Sequence, residues 1–134
     1  MMNSTHAADT QARRTDAAIV QAALTWRTLC RRADLVANSG VVAWLDGRQV
    51  AVFYLPDGDA GEQVFAVENR DPRSGANVIG RGIIGQLQGD LVVASPLYKQ
   101  HFRLQDGSCV EYADQRLEVW PARLSGDDVQ IGLA

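Results

Sequence analysis

The chain is poor in the residues that build disulfide frameworks and transition-metal centres. Its 134 residues include two cysteines, Cys30 and Cys109, which lie far apart and do not form the pattern of a disulfide-stapled domain. Of its two histidines, only His101 lies outside the first 24 residues. We therefore expect two reduced thiols in a cytoplasmic protein and no disulfide.

Long apolar runs and a strong excess of positive charge are also missing. No run approaches the length of a membrane span, and no hydrophobic segment follows a charged start, so we expect neither a membrane segment nor a signal peptide. The formal net charge is −3 and Lys99 is the only lysine, which argues against a general nucleic-acid binder. The hydrophobic content of 46% is typical of a soluble globular protein, and the length suffices for one core.

The pattern of the chain changes near residue 25. Residues 1–24 are polar and alanine-rich, and within them 16–24 is compatible with a short helix, so we expect a partly disordered or short helical leader. Residues 25–134 consist of short apolar runs separated by turn residues, which predicts one domain.

The short runs predict an all-β fold, an antiparallel sandwich or barrel of short strands. Asp46-Gly47 and Asp106-Gly107 are strong hairpin signals, because glycine tolerates the positive φ of a tight turn. The predicted strands are Thr25–Cys30, Val41–Leu45, Gln49–Leu55, Gln63–Glu68, Leu91–Ser95, Phe102–Leu104, Ser108–Val110, Leu117–Leu124 and Val129–Leu133.

One long segment, Asn69–Asp90, interrupts this pattern with five glycines and a proline. Its apolar residues favour an ordered loop that packs against the domain. Within it, Gly80–Gly85 matches the glycine spacing of a dinucleotide-binding turn, but no room remains for the helix that must follow. We expect the glycines to permit tight bends.

Two segments have the spacing of a metal-binding frame. They are Asn69-Arg70-Asp71 and Ser95-Pro96-Leu97-Tyr98, the second followed by Phe102-Arg103-Leu104 and a glycine turn. Both resemble the cluster loops of Rieske iron–sulfur domains, which carry C-x-H and C-P-x-H. Here Asn69 and Ser95 occupy the cysteine positions, and Asp71 and Tyr98 the histidine positions. A Rieske cluster needs two thiolates and two imidazoles, so the resemblance implies a Rieske-like fold of the iron–sulfur protein type without its cluster.

The replacing residues have oxygen and nitrogen atoms suited to hydrogen bonds. We expect Asn69 and Asp71 to bond backbone groups and hold the first loop, with Ser95 and Tyr98 doing the same for the second. A Mg²⁺ or Ca²⁺ site is the alternative, but two such residues are too few for it. We therefore predict no metal, cofactor or catalytic residue on this chain.

Basic residues concentrate on both segments. If the two loops meet, as Rieske loops do, their tip is basic despite the negative chain, which favours a docking surface for an acidic partner. In the alternative, the arginines pair with nearby carboxylates. A general-base role for His101 lacks an identifiable nucleophile and an orienting acid. The partner-facing candidates are Arg70, Asp71, Arg73, Arg81, Tyr98, Lys99 and His101.

A closer resemblance covers the chain from about Thr25 to its C-terminus. It is similar to the small subunits of assimilatory nitrite reductases that use NAD(P)H. The residues that carry it are Trp26, Gln49–Phe53, Val64–Pro72, Ser74–Val78, Arg81–Ile83 and Ser95–Phe102. Arg73 departs from the large apolar residue expected there.

The resemblance implies a non-catalytic accessory subunit in nitrate assimilation. Its partner would be a large subunit that carries sirohaem, an iron–sulfur cluster and FAD and reduces nitrite to ammonium with NAD(P)H. Two alternatives remain open: a Rieske-type ferredoxin that transfers electrons, and an independent ligand-binding β-domain or small enzyme that uses His101 in a pocket.

Overall fold

The computed structural model describes residues 23–134, so residues 1–22 of the expected leader lie outside the described part of the chain. Within residues 23–134, no helix has the length and apolar character needed to cross a membrane. Two short 3₁₀ turns, Arg32–Asp34 and Ile79–Arg81, accompany the strands. The strands are β1 (Thr25–Arg31), β2 (Ser39–Leu45), β3 (Arg48–Gly58), β4 (Gly61–Glu68), β5 (Ile83–Leu87), β6 (Asp90–Ala94), β7 (His101–Arg103), β8 (Val119–Trp120), β9 (Ala122–Ser125) and β10 (Asp128–Leu133).

The strands form three sheets with antiparallel pairing, which confirms the predicted all-β class. The sheets have the orders β1-β10-β9, β2-β3-β4-β8 and β5-β6-β7. Consecutive strands joined by tight turns account for the pairs β2-β3, β3-β4, β5-β6 and β9-β10. Such hairpins need only local contacts, which is why the Asp46-Gly47 turn located β2-β3 in the sequence, whereas β5-β6 was not predicted.

The four-stranded sheet is the middle layer, and alternate residues of β3 contribute to two cores. Ala51 and Phe53 join the core that contains Val93 of β6 and Phe102 of β7. Val50 and Val52 join the core that contains Val129 and Ile131 of β10. The period of two along a strand sends successive side chains to opposite faces, and both faces of β3 are covered. This explains why β3 reads as a continuous apolar run.

Three strand predictions were wrong in detail. The predicted loop 69–90 contains β5, whose Ile84 packs against the first core; glycines at both of its ends and its centre concealed it. The predicted strand 117–124 is divided at Pro121, which lacks the N–H that a continuous ladder needs, so β8 pairs with β4 and β9 with β10. The predicted strand 108–110 makes isolated bridges.

The sheets give the domain two ends, which we name by what lies there. The loop end carries the first loop (residues 69–82), which follows β4, and the second loop (residues 95–100), which joins β6 to β7. The far end carries the turns 57–60, 88–89 and 104–107, at the opposite ends of the same strands. β3 connects the two ends, and its length corresponds to roughly 30 Å.

Candidate functional site

The first loop is held by Asn69, which stands at a cluster cysteine position directly after β4. Its side-chain Oδ1 accepts a hydrogen bond of 2.7 Å from the backbone N–H of Gly80, and its Nδ2 donates to Gln49 Oε1 at 2.8 Å. Asn69 is buried, and its backbone carbonyl also accepts from the N–H of Ile79. One amide side chain therefore ties the end of the first loop to the start of β3.

Asp71, at a histidine position, lies at the centre of a buried polar network. Its Oδ1 accepts bonds from the backbone N–H groups of Arg73 at 2.8 Å and Ser74 at 3.3 Å, and from Gln100 Nε2 at 3.0 Å. Its Oδ2 accepts from the Ser95 hydroxyl at 2.5 Å. The side chain is fully buried, so these four donors replace the water that a carboxylate loses on burial.

The second loop is a tight turn closed at Ser95. The backbone N–H of Ser95 donates to the carbonyl of Gln100 at 3.0 Å, and the Ser95 carbonyl accepts from the N–H of Lys99 at 2.9 Å. Lys99 adopts a positive φ of 60°, which lets the chain reverse within this short segment. The reversal places the buried side chains of Ser95 and Gln100 against Asp71 while the residues between them face outward.

A close backbone approach also brings the loops together. A Cβ added at Gly82 would lie 2.5 Å from the carbonyl oxygen of Ala94, the residue just before the second loop. No larger residue fits this position without displacement of the backbone. The glycine in the first loop therefore serves close packing against β6.

At its degenerate ligand position, Tyr98 differs from the expectation. Its ring is about half exposed, and the guanidinium of Arg73 stands over it at 4.3 Å from the ring centroid. The hydrogen-bonding role predicted for Asn69 and Asp71 is confirmed. The Ser95 hydroxyl instead donates to Asp71 and so joins the two loops, and Tyr98 joins them through a cation–π contact on the outside. This stacking also gives Arg73 a role that the expected apolar residue would not have.

These residues do not fit a [2Fe-2S] cluster. Ser95 and Asp71, at one cysteine and one histidine position, bond each other directly, so their side chains fill the space between the loops. The donors are amide, carboxylate and hydroxyl groups, whereas the cluster needs thiolates and imidazoles. Across residues 23–134, no group of three or more histidine, cysteine or acidic side chains is arranged to hold a metal ion.

The residues predicted to face a partner lie partly on the surface of the loop end and partly in the buried network beneath it. Arg70, Arg73, Arg81 and Lys99 are exposed, and none of them has a carboxylate oxygen within 4.0 Å among the described residues. Asp71, predicted to face a partner, lies beneath them instead, because its carboxylate turns inward to the four donors.

The expected pairing of basic residues with neighbouring acids occurs elsewhere. Arg103 donates to Asp90 Oδ2 at 2.9 Å and to the Ser108 hydroxyl at 3.0 Å, so its charge points toward the far end. Arg48, beside the first loop, lies 3.7 Å from Glu68 and 2.9 Å from Glu118. The basic tip is therefore formed by a smaller set of residues than the sequence indicated.

His101 has an acidic partner that the sequence did not reveal. Its Nδ1 lies 2.6 Å from Glu111 Oε2, and its backbone N–H donates to Glu111 Oε1 at 2.8 Å. Burial raises the pKa of Glu111, but the hydrogen bonds from His101 outweigh that effect and hold the pKa below its ordinary value. The expectation that no acid orients His101 was wrong, because β7 pairing brings residue 111 beside it.

Among residues 23–134, the clefts at the far end, beside β9 and beside Trp44 are lined by residues other than His101. The cleft at the far end has a volume of about 680 Å³ and is lined by residues such as Leu55, Asp90 and Asp106. The His101–Glu111 pair instead fastens the segment after Cys109 to β7, next to the second loop. Its arrangement is that of a structural hydrogen-bonded pair at the edge of the tip.

Sequence reasoning missed Gln100 and Trp44 as parts of the loop end. Gln100 is buried and bridges Asp71 and Gln115, but a glutamine after a lysine gives no sign of burial. Trp44 lies beside the predicted hairpin turn, and the period of β2 alone does not say which face another loop will cover. Both depend on contacts between residues that are distant in sequence.

Comparison with known proteins places this architecture in a family. A family model described as a Rieske-like [2Fe-2S] domain matches residues 25–132. The nitrite reductase (NADH) small subunit of Salmonella typhimurium is 42% identical over 106 residues, which are 79% of this chain and 95% of that protein. This chain belongs to the Rieske-like family of nitrite reductase small subunits.

A solved structure from the same family agrees with the fold. The solution structure of the nitrite reductase [NAD(P)H] small subunit from Erwinia carotovora is 42% identical, with a TM-score of 0.67, and the match covers 81% of this chain and 82% of that one. The nitrite reductase [NAD(P)H] large subunit of Klebsiella oxytoca is 36% identical over 107 residues. That match covers 80% of this chain but spans 11% of the Klebsiella protein.

Proposed function

We propose that this chain is the non-catalytic accessory subunit of an NAD(P)H-dependent nitrite reductase. It supports the reduction of nitrite to ammonium by a large subunit in nitrate assimilation. The observation that carries this proposal is the buried network around Asp71, which closes the two loops where a Rieske domain holds its cluster. Relatives named small subunits match the chain across nearly their whole length.

The Klebsiella protein supports physical contact between the two parts. There, a segment similar to this chain lies within a protein named a large subunit. A domain that occurs in one chain with a partner in one organism and as a separate subunit in another is expected to work beside that partner. We therefore assign a large nitrite reductase subunit as the partner of this chain.

The redox cofactors are proposed to lie on that partner. Sirohaem, an iron–sulfur cluster, FAD and the NAD(P)H site would all be contributed by the large subunit, in the cytoplasm, because the loop end offers donors unsuited to a cluster. This division makes the chain a component of the oxidoreductase without an active site of its own. Residues 25–134 are the proposed domain and residues 1–24 the proposed leader.

The tip of the loop end is the proposed contact surface. Arg70, Arg73, Arg81 and Lys99 present positive charge there, with Tyr98 and His101 between or beside them and Asp71 as the internal support. Exposed charge on one end steers a charged partner and fixes its orientation more than it adds final affinity. The partner surface is accordingly expected to be acidic.

The direct test is the activity and stability of the large subunit with and without this chain. We expect both nitrite turnover and the thermal stability of the large subunit to fall when the chain is left out of co-expression. If neither quantity changes, the accessory role is wrong.

Charge reversal tests the surface. The double variant Arg70→Glu with Lys99→Glu is expected to slow association with the large subunit by about tenfold or more at low salt, since like charges then face the partner. The matched control is Arg31→Glu, an exposed arginine of β1 near the far end, which should leave association unchanged. Equal association rates for all three proteins would reject the tip as the interface.

The alternative that this chain is a ferredoxin predicts a bound iron–sulfur cluster. An electron carrier with this fold must hold a stoichiometric cluster, so iron and acid-labile sulfide should be measured in the protein prepared without oxygen. We expect a colourless protein with neither. A stoichiometric [2Fe-2S] signal in the freshly isolated chain would overturn the accessory reading.

A further inference from the structure

Exposed apolar side chains are concentrated around the same loop end. Among residues 23–134, the large hydrophobic side chains classed as exposed are Val36, Val42, Trp44, Ile83, Leu97, Tyr98 and Tyr112. Five of these seven belong to the two loops or to the strands that flank them. Soluble proteins tolerate single exposed apolar residues, but a group on one surface marks an interaction site.

One flank of the first loop is formed by β2. Val42 and Trp44 are two residues apart and share a face of this strand. Val42 Cγ2 lies 3.0 Å from the position that a Cβ would take at Gly80, so Val42 adjoins the 3₁₀ turn of the first loop. Trp44 is 67% exposed and lines a notch of about 190 Å³ together with Arg70 and Asn77.

The other flank continues from the first loop to the second. Ile83 follows Gly82, is 77% exposed and pairs across β5-β6 with Ala94, the residue before the second loop. Leu97 and Tyr98 are each about half exposed within the second loop, and Arg73 covers the Tyr98 ring. Apolar groups thus lie on both sides of the exposed cations.

We propose that Trp44 and Ile83 are the apolar anchors of the docking surface, and that the occupant is a patch of the large subunit with carboxylates at its centre and apolar groups on both sides. This inference rests on the proposed accessory function and specifies its contact. Tryptophan and arginine are the residues that most often dominate binding energy at interfaces. The notch that holds Trp44 beside Arg70 brings these two residue types together.

Charge selects this occupant over a second copy of the chain. In a twofold dimer built on this surface, the same patch faces itself, so the group of Arg70, Arg73, Arg81 and Lys99 would face the same group of cations on the second copy. Opposed like charges disfavour such an interface. An acidic partner removes the conflict and uses both the cations and the apolar groups.

The inference separates two kinetic effects. Exposed charges act at a distance and change the association rate, whereas buried apolar anchors hold the complex and change the dissociation rate. The variant Trp44→Ala should therefore dissociate from the large subunit roughly tenfold faster or more, with an association rate within about twofold of wild type. Ile83→Asn should also accelerate dissociation.

The matched control is Val36→Ala, because Val36 is 53% exposed but lies next to the Ala37–Tyr54 bridge, away from both loops. Stopped-flow or surface-binding kinetics with the complete large subunit at two salt concentrations would measure both rates. Circular dichroism and the thermal midpoint of each variant alone establish that it is folded, as expected for changes at exposed side chains.

Three outcomes would overturn the anchor assignment. In the first, wild type binds but Trp44→Ala and Ile83→Asn dissociate at the rate of Val36→Ala; the accessory role then stands and this inference fails. In the second, Trp44→Ala converts a dimer of the isolated chain to a monomer in sedimentation, which makes a second copy the occupant. In the third, wild type does not bind the large subunit at all, and the proposed function fails first.

Discussion

The loop end and the far end of this domain differ in which charged side chains are exposed and which are buried or paired. At the loop end, the acid Asp71 is buried and the cations Arg70, Arg73 and Lys99 stand exposed. At the far end the arginines are paired: Arg103 lies 2.9 Å from Asp90 and Arg32 lies 2.6 Å from Glu62. The carboxylates of Asp57, Asp59 and Asp106 remain exposed there.

This difference shows how a chain with a net charge of −3 presents a basic surface. The sign of each end depends on which charges are neutralised by contacts and which are left facing water. A molecule whose exposed cations are concentrated at one end is oriented by the field of a charged partner before contact. The positive charge of the loop end therefore follows from folding, because the composition alone, with a net charge of −3, indicates a negative surface.

The largest effect in this comparison is expected from Asp71→Ala. Removal of the carboxylate leaves the buried Ser95 hydroxyl without its acceptor, and the Gln100 amide and two part-buried backbone N–H groups each lose one bond. Each such loss costs on the order of 1–3 kcal/mol, so the free energy of unfolding should fall by about 3 kcal/mol or more. Urea denaturation followed by tryptophan fluorescence measures it.

Two control variants test whether the loss of stability is specific to the buried carboxylate of Asp71. Asp71→Asn keeps one acceptor oxygen and the shape of the side chain, and should lose less stability than the alanine variant. Asp59→Ala removes an exposed far-end carboxylate and should change the free energy of unfolding by less than about 0.5 kcal/mol. Similar losses for Asp71→Ala and Asp59→Ala would contradict the contrast between the two ends.

A smaller effect is expected at the far end from Ser108→Ala. The Ser108 hydroxyl and backbone N–H donate to Asp106 Oδ1 at 2.6 Å and 2.9 Å, and they lower the pKa of Asp106. The stabilisation from a lowered pKa is present above the ordinary aspartate range and is lost as the pH falls through the folded value. The variant should raise the pKa of Asp106 toward that range.

Since Asp106 is exposed, solvent screening keeps the associated loss of stability below about 1 kcal/mol at neutral pH. The difference in stability between wild type and variant should shrink below the titration range, where Asp106 is protonated in both. Carboxyl carbon shifts in an NMR titration follow the pKa directly. An unchanged titration of Asp106 would show that the serine does not set it.

A comparably small effect is expected from Arg73→Ala, which removes the cation–π contact on the outside of the loops. The guanidinium over the Tyr98 ring is exposed, so its loss should lower the free energy of unfolding by about 0.5–1 kcal/mol. NMR shifts of the Tyr98 ring should change while those of Ser95 and Gln100 stay constant. A loss as large as that of Asp71→Ala would mean that the outer contact, and not the buried network, joins the loops.

The resemblance of the two degenerate segments to Rieske loops implied that they meet, and their residue types indicated that hydrogen bonds replace the ligands. The hairpins were predictable because their turns depend on local glycine conformations. β5 was missed because its apolar signal is only Ile84 and Leu87 beside glycines, and the pairing that makes it a strand comes from β6. The partner of His101 was missed for the same reason, since Glu111 arrives through a bridge to β7.

The sequence by itself determined most of the strand pattern, the replacement of the cluster ligands by other residues and the identity of the charged groups near them. The tertiary structure decided which of those charges are paired within the domain and which are exposed. Asp71 is buried among four donors and Arg103 contacts Asp90. Arg70, Arg73, Arg81 and Lys99 are left unpaired among the described residues. The physical reason is that burial and pairing depend on distances between segments far apart along the chain. The chemistry of a side chain is given by the residue type, whereas its exposure depends on segments that are distant in sequence.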